Sequence, residues 1–420
     1  MKMNNIYDTY NIHDYTFFFG AFQSLPSESL NIINYSTNNN INHNNQITQN
    51  NLSSDITFQS NPITTNLIDK NYTYLGNNCN NNYYNIYKGI GINLCGIINY
   101  GNNCYLNSGL QILASCKKFL EELKSYGDDK VSALGLILTG LVKKAVYYLE
   151  NENIYKPLEF LKYYSSLNYE SFQAQSCSQN FIRTLLKKLN DELVIVRDKL
   201  VCFNQTSIPY KPELNGEENS KFMEFIKNNG ILCESKLLSV FSGMTKSHWM
   251  KNCKECKYPI NEFSFSYFID QNMYLDEIKE GSKFSEVLSK NFAKTNIIIN
   301  CPYCKKENIC EEETKIIKLP DVLIFTLERY QGKNNNIKIE PDDKIEMKYY
   351  VDPSLNSIKT EYELFAINIR FGETQNSGHE ICQVKRKNKW FEFNDTDRYP
   401  KTKDYNNYSY GLFYCIKEDS

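Results

Sequence analysis

Histidine is scarce in this chain of 420 residues. His13, His43, His248 and His379 are the only four, so a mechanism that needs an imidazole must choose among them. Long apolar runs are lacking as well. No window approaches about twenty consecutive apolar residues, which argues against a membrane-spanning helix. The opening MKMNNIYDTYNIHDY lacks the apolar core of a signal peptide, so a secretory route is not expected. Net charge is nearly absent: 47 Lys and Arg against 49 Asp and Glu leave −2, with no field to steer the chain toward nucleic acid or a membrane. What remains is ordinary for a soluble globular protein, with 41% hydrophobic and 23% charged residues. The length allows two domains or one large domain with a sizeable core. Fourteen cysteines without a signal segment point to metal ligands or a nucleophile rather than disulfides. That places the chain in a reducing compartment, cytoplasmic or nuclear.

Composition divides the chain near residue 88. Residues 1–88 form an Asn-rich leader whose tracts, such as 38–45 and 77–82, have little apolar periodicity. Such composition cannot offset the entropy of ordering, and most of the leader is expected to be disordered. The aromatic patch Tyr15, Phe17, Phe18, Phe19 and Phe22 is the exception, a short packed turn or a docking element. From residue 89 the chain reads as globular. Leu106, Leu110, Leu113 and Leu120 recur at helical spacing, and 131–150 and 179–200 also read as helix. The stretch 201–230, with Pro209, Pro212 and Gly216, reads as a loop. Beyond it, β-branched and aromatic runs at 262–269, 315–319, 322–327, 362–371 and 410–416 predict strands. Helices first and strands later imply an α+β fold.

Three constellations carry chemistry. In the first, Asn99-Tyr-Gly101-Asn-Asn-Cys104 delivers a cysteine to the start of a strong helix, where partial positive charge favours a thiolate. Asn99, on the incoming turn, can face a developing oxyanion. A small buried cysteine at a helix start is the alternative reading. In the second, His379 opens a strand, 385–389 is a polar turn, and Trp390, Phe393, Asn394 and Asp395 follow. A hairpin centred on that turn sets His379 roughly opposite Asn394, within two residues of register. A polar side chain there accepts the imidazole N–H and leaves the other nitrogen free to take a thiol proton. The basic run 385–389 reads as solvated rather than as a nucleic-acid patch. In the third, Cys253-Lys-Glu-Cys256 and Cys301-Pro-Tyr-Cys304 supply four thiolates to one tetrahedral Zn²⁺. Their wide separation predicts a metal that ties the base of two long hairpins. Cys310 is a spare thiol, and His248 reads as packed or exposed rather than as a ligand.

Together these segments resemble the ubiquitin-specific proteases, papain-like cysteine enzymes with thumb, fingers and palm. The resemblance covers about 89–420. GINLCGIINYGNNCYLNSGLQIL is similar to the family's cysteine box, and GHEICQVKRKNKWFEFND to its histidine box. LPDVLIFTLERY is similar to the strand after the second zinc knuckle, and 410–414 to the closing strand. The resemblance implies a thumb at about 89–230, fingers and palm at about 231–420, and a zinc-stapled β region that cradles ubiquitin. It implies Cys104 as nucleophile, His379 as general base and Asn394 as the residue orienting it. Asp395 matches an assisting polar position and Asn99 the oxyanion donor. Cys253, Cys256, Cys301 and Cys304 match the ligands of a structural Zn²⁺. The reaction implied is thiol-dependent hydrolysis after the C-terminal Gly of ubiquitin, by a monomer that binds ubiquitin or its conjugates and neither nucleic acid nor membrane.

Some positions depart from the pattern. The motif that grips the arginines of the ubiquitin tail has Cys177 and Asn180 at its two acidic positions. Glu380 stands where an aromatic usually follows the histidine, and Arg370-Phe-Gly372 replaces a His-x-Gly. Weaker tail binding is expected, partly restored by a carboxylate at 177 or 180. An inactive ubiquitin-binding protein and a protease for a ubiquitin-like modifier are the alternatives.

Overall fold

The computed structural model describes residues 85, 87–168, 176–199, 216–228, 234–330, 336–355, 358–374, 377–403 and 408–418. The chain divides into two units, 1–61 and 62–420, and every described residue belongs to the second. The aromatic patch at 15–22 and the Asn tracts therefore lie outside the described residues.

The first half is helical. After the short strand β1 (Gly96–Ile97) come α1 (Cys104–Leu113), α2 (Lys117–Ser125), α3 (Asp128–Ala133) and α4 (Ile137–Asn151). Strand β2 (Ile154–Tyr155) pairs in parallel with β1, and α5 (Leu158–Asn168) and α6 (Ser178–Lys199) follow. The helix read over 131–150 is two helices. Gly135, at φ +67°, ends α3 in the left-handed region that a side chain disfavours. Helix α4 lacks a capping side chain of its own; Glu192 of α6 accepts from the Leu138 and Thr139 N–H groups at 2.9 and 2.8 Å. That cap comes from a residue 53 positions away and has no local signature. Every residue of α1 is buried, and α6 packs closely on it: a Cβ on Gly109 would lie 2.4 Å from the Phe181 ring.

The stretch read as a loop, 201–230, holds helix α7 (Gly216–Asn228), preceded by residues outside the described set. Phe222 and Ile226 lie one turn apart and bury against Met244 and Ile317. Pro209, Pro212 and Gly216 mark only what precedes that helix. The four-residue α8 (Lys236–Ser239) then leads into the sheets.

Strands β3 (Gly243–Asn252) and β4 (Pro259–Phe268) form a long hairpin, and β5 (Asp270–Tyr274) and α9 (Phe284–Asn291) follow. Strands β6 (Thr295–Asn300) and β7 (Glu307–Lys318) complete a sheet of order β4-β3-β7-β6, the fingers. The palm sheet uses β8 (Val322–Glu328), β9 (Lys344–Glu346), β10 (Glu361–Thr374), β11 (Ser377–Arg386), β12 (Lys389–Asn394), β13 (Asp397–Pro400) and β14 (Ser409–Ile416). Its order is β13-β12-β11-β10-β14-β8-β5, with β9 on β10 and only β5–β8 parallel. Alternate palm residues face opposite cores. Ala366, Val384, Phe391 and Phe413 turn toward the thumb helices, whereas Ile367, Ile381, Leu412 and Tyr414 pack with Phe284 and Leu288 of α9. Covered on both faces, the central strands read as continuous apolar runs. This is the α+β fold the sequence predicts, with the thumb, palm and fingers that the family resemblance implies.

Candidate active site

Cys104 is the first residue of α1, behind the Asn103 N-cap, and is buried. Its thiol is pushed up to about 12: burial dominates, and the Glu380 and Asp395 carboxylates add to it. The backbone N–H groups of Glu380 and Tyr105 act in the opposite sense. The Cys104 side chain therefore rests as a neutral thiol, and helix position alone does not ionise it. That Glu380 contact also sets the sulfur beside the residue that follows His379.

His379 lies near the start of β11, next to Gly378. That glycine is required by close approach, because a Cβ there would sit 2.4 Å from the Phe371 carbonyl oxygen. His379 Nε2 and Asn394 Oδ1 are 2.7 Å apart. An amide oxygen only accepts, so Nε2 carries the proton and Nδ1 is the basic nitrogen. The two residues are not direct cross-strand partners. Cys382 pairs with Phe393, and the hairpin turns on Lys387 and Asn388, both at positive φ. The register thus sits two residues from the one expected, within the span allowed, because this two-residue turn fits the strand twist.

Asp395 occupies the β12–β13 turn at φ +53° and contacts the cysteine loop rather than the imidazole. Its carboxylate accepts from Asn99 Nδ2 at 2.9 Å and from Asn107 Nδ2 at 2.7 Å. Asn107 Oδ1 in turn accepts from the buried Asn103 amide at 3.0 Å. Asn99 Oδ1 accepts from the Gly101 N–H at 3.0 Å, which fixes the amide plane. Sequence reasoning missed Asn103 and Asn107; their four-residue separation on one helix face was the available signal.

The basic turn is only partly solvated. Arg386 donates to Ser115 Oγ at 3.0 Å, Asn93 O at 2.7 Å and Gln111 Oε1 at 2.8 Å, and its guanidinium lies 4.7 Å from the Phe393 ring centre. Contrary to the solvated reading, it ties the palm to α1, because a guanidinium fork can satisfy several acceptors at once. Between α6 and β5, Arg183 makes a two-oxygen contact with Asp270 at 3.0 and 3.1 Å and reaches Asn180 Oδ1 at 2.8 Å.

In the fingers, the Sγ atoms of Cys253, Cys256, Cys301 and Cys304 all lie within 4.8 Å of one another. Cys253–Cys304 is 3.5 Å and Cys256–Cys301 3.7 Å. Four sulfurs about 2.3 Å from one Zn²⁺ are about 3.8 Å apart, so the set fits that ion. Each knuckle closes with a residue at positive φ, Lys257 and Lys305, and with the matching Lys257 N–H to Cys253 O and Lys305 N–H to Cys301 O bonds. The knuckles are the turns of the β3–β4 and β6–β7 hairpins. A metal would join hairpin tips rather than bases, because Cys-x-x-Cys is itself the turn. Asn308 Nδ2 lies 3.5 Å from Cys253 Sγ, while Cys310 packs behind the cluster. His248 is 2.6 Å from Asn261 Oδ1 and stands outside the four-sulfur cluster.

Residues 95–414 match the family model described as ubiquitin carboxyl-terminal hydrolase. The chain belongs to the ubiquitin carboxyl-terminal hydrolase family. Among its relatives, a probable ubiquitin carboxyl-terminal hydrolase 4 of Schizosaccharomyces pombe is 25% identical over 332 residues, which cover 72% of this chain and 54% of the relative. Ubiquitin carboxyl-terminal hydrolase 4 of Arabidopsis thaliana is 25% identical over 325 residues, 71% of this chain and 83% of that protein. The chain thus spans about half of the first relative and most of the second. A solved structure of the SAGA Ubp8/Sgf11/Sus1/Sgf73 DUB module bound to ubiquitin aldehyde shares the fold, with a TM-score of 0.58 and 21% identity over 78% of this chain and 70% of that one.

Proposed function

We propose that this family member is a cysteine-type deubiquitinase that hydrolyses the isopeptide or peptide bond after the C-terminal Gly of ubiquitin. The observation that carries the reading is the 2.7 Å His379–Asn394 bond, which leaves the other imidazole nitrogen free on the residue next to Glu380, whose N–H acts on the Cys104 thiol at the head of α1. His379 Nδ1 takes the Cys104 proton as the sulfur attacks the glycyl carbonyl carbon. The second Asn99 amide hydrogen, with its plane set by Asp395 and Gly101, meets the developing oxyanion. The tetrahedral intermediate collapses as the imidazolium gives its proton to the departing amine, leaving a thioester. Water, deprotonated by the same imidazole, then releases the ubiquitin carboxylate and restores the thiol. Cys253, Cys256, Cys301 and Cys304 would hold one Zn²⁺, whose role is structural because four thiolates leave no open position. The catalytic unit is placed at 89–420. The eleven cysteines among the described residues are all free, which favours a reducing compartment, cytosol or nucleus. No helix among the described residues is long and apolar enough to cross a membrane.

Cys177 and Asn180 give a specific reason to keep a ubiquitin-like modifier as the second substrate. Incubation with fluorogenic ubiquitin and ubiquitin-like substrates tests both: release from ubiquitin alone supports the first reading, release from another modifier the second. No release from any, with ubiquitin still bound, would make this an inactive ubiquitin-binding protein.

A further inference from the structure

One buried carboxylate connects four elements, α1, α6, β10 and β11. Glu380 is 1% exposed and pairs across the β10–β11 ladder with Arg370, 3% exposed, whose Nη1 donates to Glu380 Oε1 at 2.5 Å. The other oxygen, Oε2, accepts the Ser178 N–H at 2.9 Å, the Ser178 hydroxyl at 2.5 Å and Asn368 Nδ2 at 3.2 Å. Ser178 is the first residue of α6, and its Oγ also lies 2.8 Å from the Tyr105 carbonyl oxygen in α1. Arg370 donates to the Ser176 carbonyl at 3.0 Å, with its guanidinium 5.9 Å from the ring centres of Tyr330 and Tyr410. A buried ion pair seldom stabilises a fold more than apolar side chains of equal volume. This pair lies where geometry and charge both matter. Glu380 follows His379 directly, and its own N–H reaches the Cys104 sulfur.

We propose that Glu380 is a positioning residue for the Cys104–His379 pair, with Arg370 as its counter-charge. The carboxylate, anchored to α6 and β10, holds the start of β11 against the head of α1. Arg370 offsets the negative charge that this anchor places near the nucleophile. The other ionisable group acting on the sulfur is Asp395. Those facing the pair are Cys177, Tyr330 and Tyr410. The inference rests on Cys104 as the nucleophile, and its test does not require hydrolysis.

The test is the rate at which iodoacetamide alkylates Cys104 in the intact chain, followed on the Cys104 peptide by mass spectrometry between about pH 7 and about pH 9. Arg370→Gln leaves the carboxylate unbalanced and should slow alkylation about tenfold at a given pH, one unit in the thiol pKa. Glu380→Gln leaves the guanidinium unbalanced and should speed it by a similar factor. The Arg370→Gln/Glu380→Gln double variant should return to within about threefold of wild type, and Arg370→Lys should stay near it. A purely structural pair would shift both single variants in the same direction, with no return in the double variant. That result, or unchanged rates in both singles, would overturn the proposal. Should Arg370→Gln fail to fold, acceleration in Glu380→Gln supports the proposal and its absence overturns it. If wild type does not release ubiquitin while these contrasts hold, the functional reading fails and the positioning role stands.

Discussion

Cys104 rests as a thiol because burial outweighs the Glu380 and Tyr105 N–H groups, so the proposed mechanism requires His379 to take its proton. Replacing Cys104 with Ala should reduce ubiquitin hydrolysis to background while the melting curve stays close to wild type, since only the nucleophile is removed. His379→Ala should cost about 10²–10⁴-fold in kcat, the usual worth of a positioned base. Asn394→Ala should cost less, because the imidazole loses its orienting acceptor while the ring itself remains. Initial rates at saturating substrate separate these cases; activity surviving in Cys104→Ala would end the mechanism, and normal activity in His379→Ala would call for another base. The Asp395 oxygens hold one amide of the cysteine loop, Asn99, and one of α1, Asn107.

The N-terminal turn of α6 revises the expectation for the missing acids. Cys177 is half-buried with its thiol raised to about 11, chiefly by burial and next by the Glu380 carboxylate. An Asp introduced there would meet the same burial and the same negative neighbour, so Cys177→Asp should lower the melting temperature without improving KM for ubiquitin. Asn180 is exposed, but Arg183 already donates to its side chain. A glutamate at 180 would pair with that arginine, and an exposed pair is worth only about 0.2–1 kcal/mol. Asn180→Glu should therefore lower KM by less than about fivefold. Steady-state kinetics on both variants would decide, and a large gain in either would mean that tail arginines outcompete Arg183. Glu170, a carboxylate seven positions before Cys177 that could serve the same role, lies outside the described residues.

At the finger tips the expectation is metal-linked folding. Elemental analysis should find about one Zn²⁺ per chain, and Cys253→Ser or Cys301→Ser should lower thermal stability, because the ligand cluster gathers only in the folded fingers. Metal-free protein with an unaltered melting curve would show that the four thiols hold no ion.

Across the molecule, buried acids of high pKa give stability a defined pH dependence. Burial raises Cys95 from 9.0 to about 12 and Tyr126 from 10.0 to about 12, alongside Cys104. Above the unfolded-state values, the unfolded chain releases these protons while the folded chain keeps them. The folded state then binds more protons, so stability falls as pH rises from about 9 toward about 12. Below the unfolded-state values both states are protonated and this contribution is flat. Thermal melts from about pH 8 to about pH 11 should show a falling midpoint at the alkaline end; a level midpoint would mean that these side chains are wetter than their burial indicates.

Periodicity and motif chemistry determined much of this protein from its sequence. The α1 stripe, the strand runs, the cysteine at the helix head, the histidine hairpin and the paired knuckles are local patterns, with each residue's role set by neighbours a few positions away. Tertiary structure decided what depends on distant partners. Glu192 caps a helix 53 positions away, Arg386 fastens the palm to α1, Asp395 sets Asn99, and Arg370 and Glu380, each a departure from the family pattern when taken alone, become one buried pair. Helix α7 was hidden by the prolines before it, because its two anchoring residues bury only against a core built later in the chain. Local spacing encodes periodicity and chemistry, whereas burial and partner choice arise only when separated segments share one interior, and there the thiol's protonation is decided.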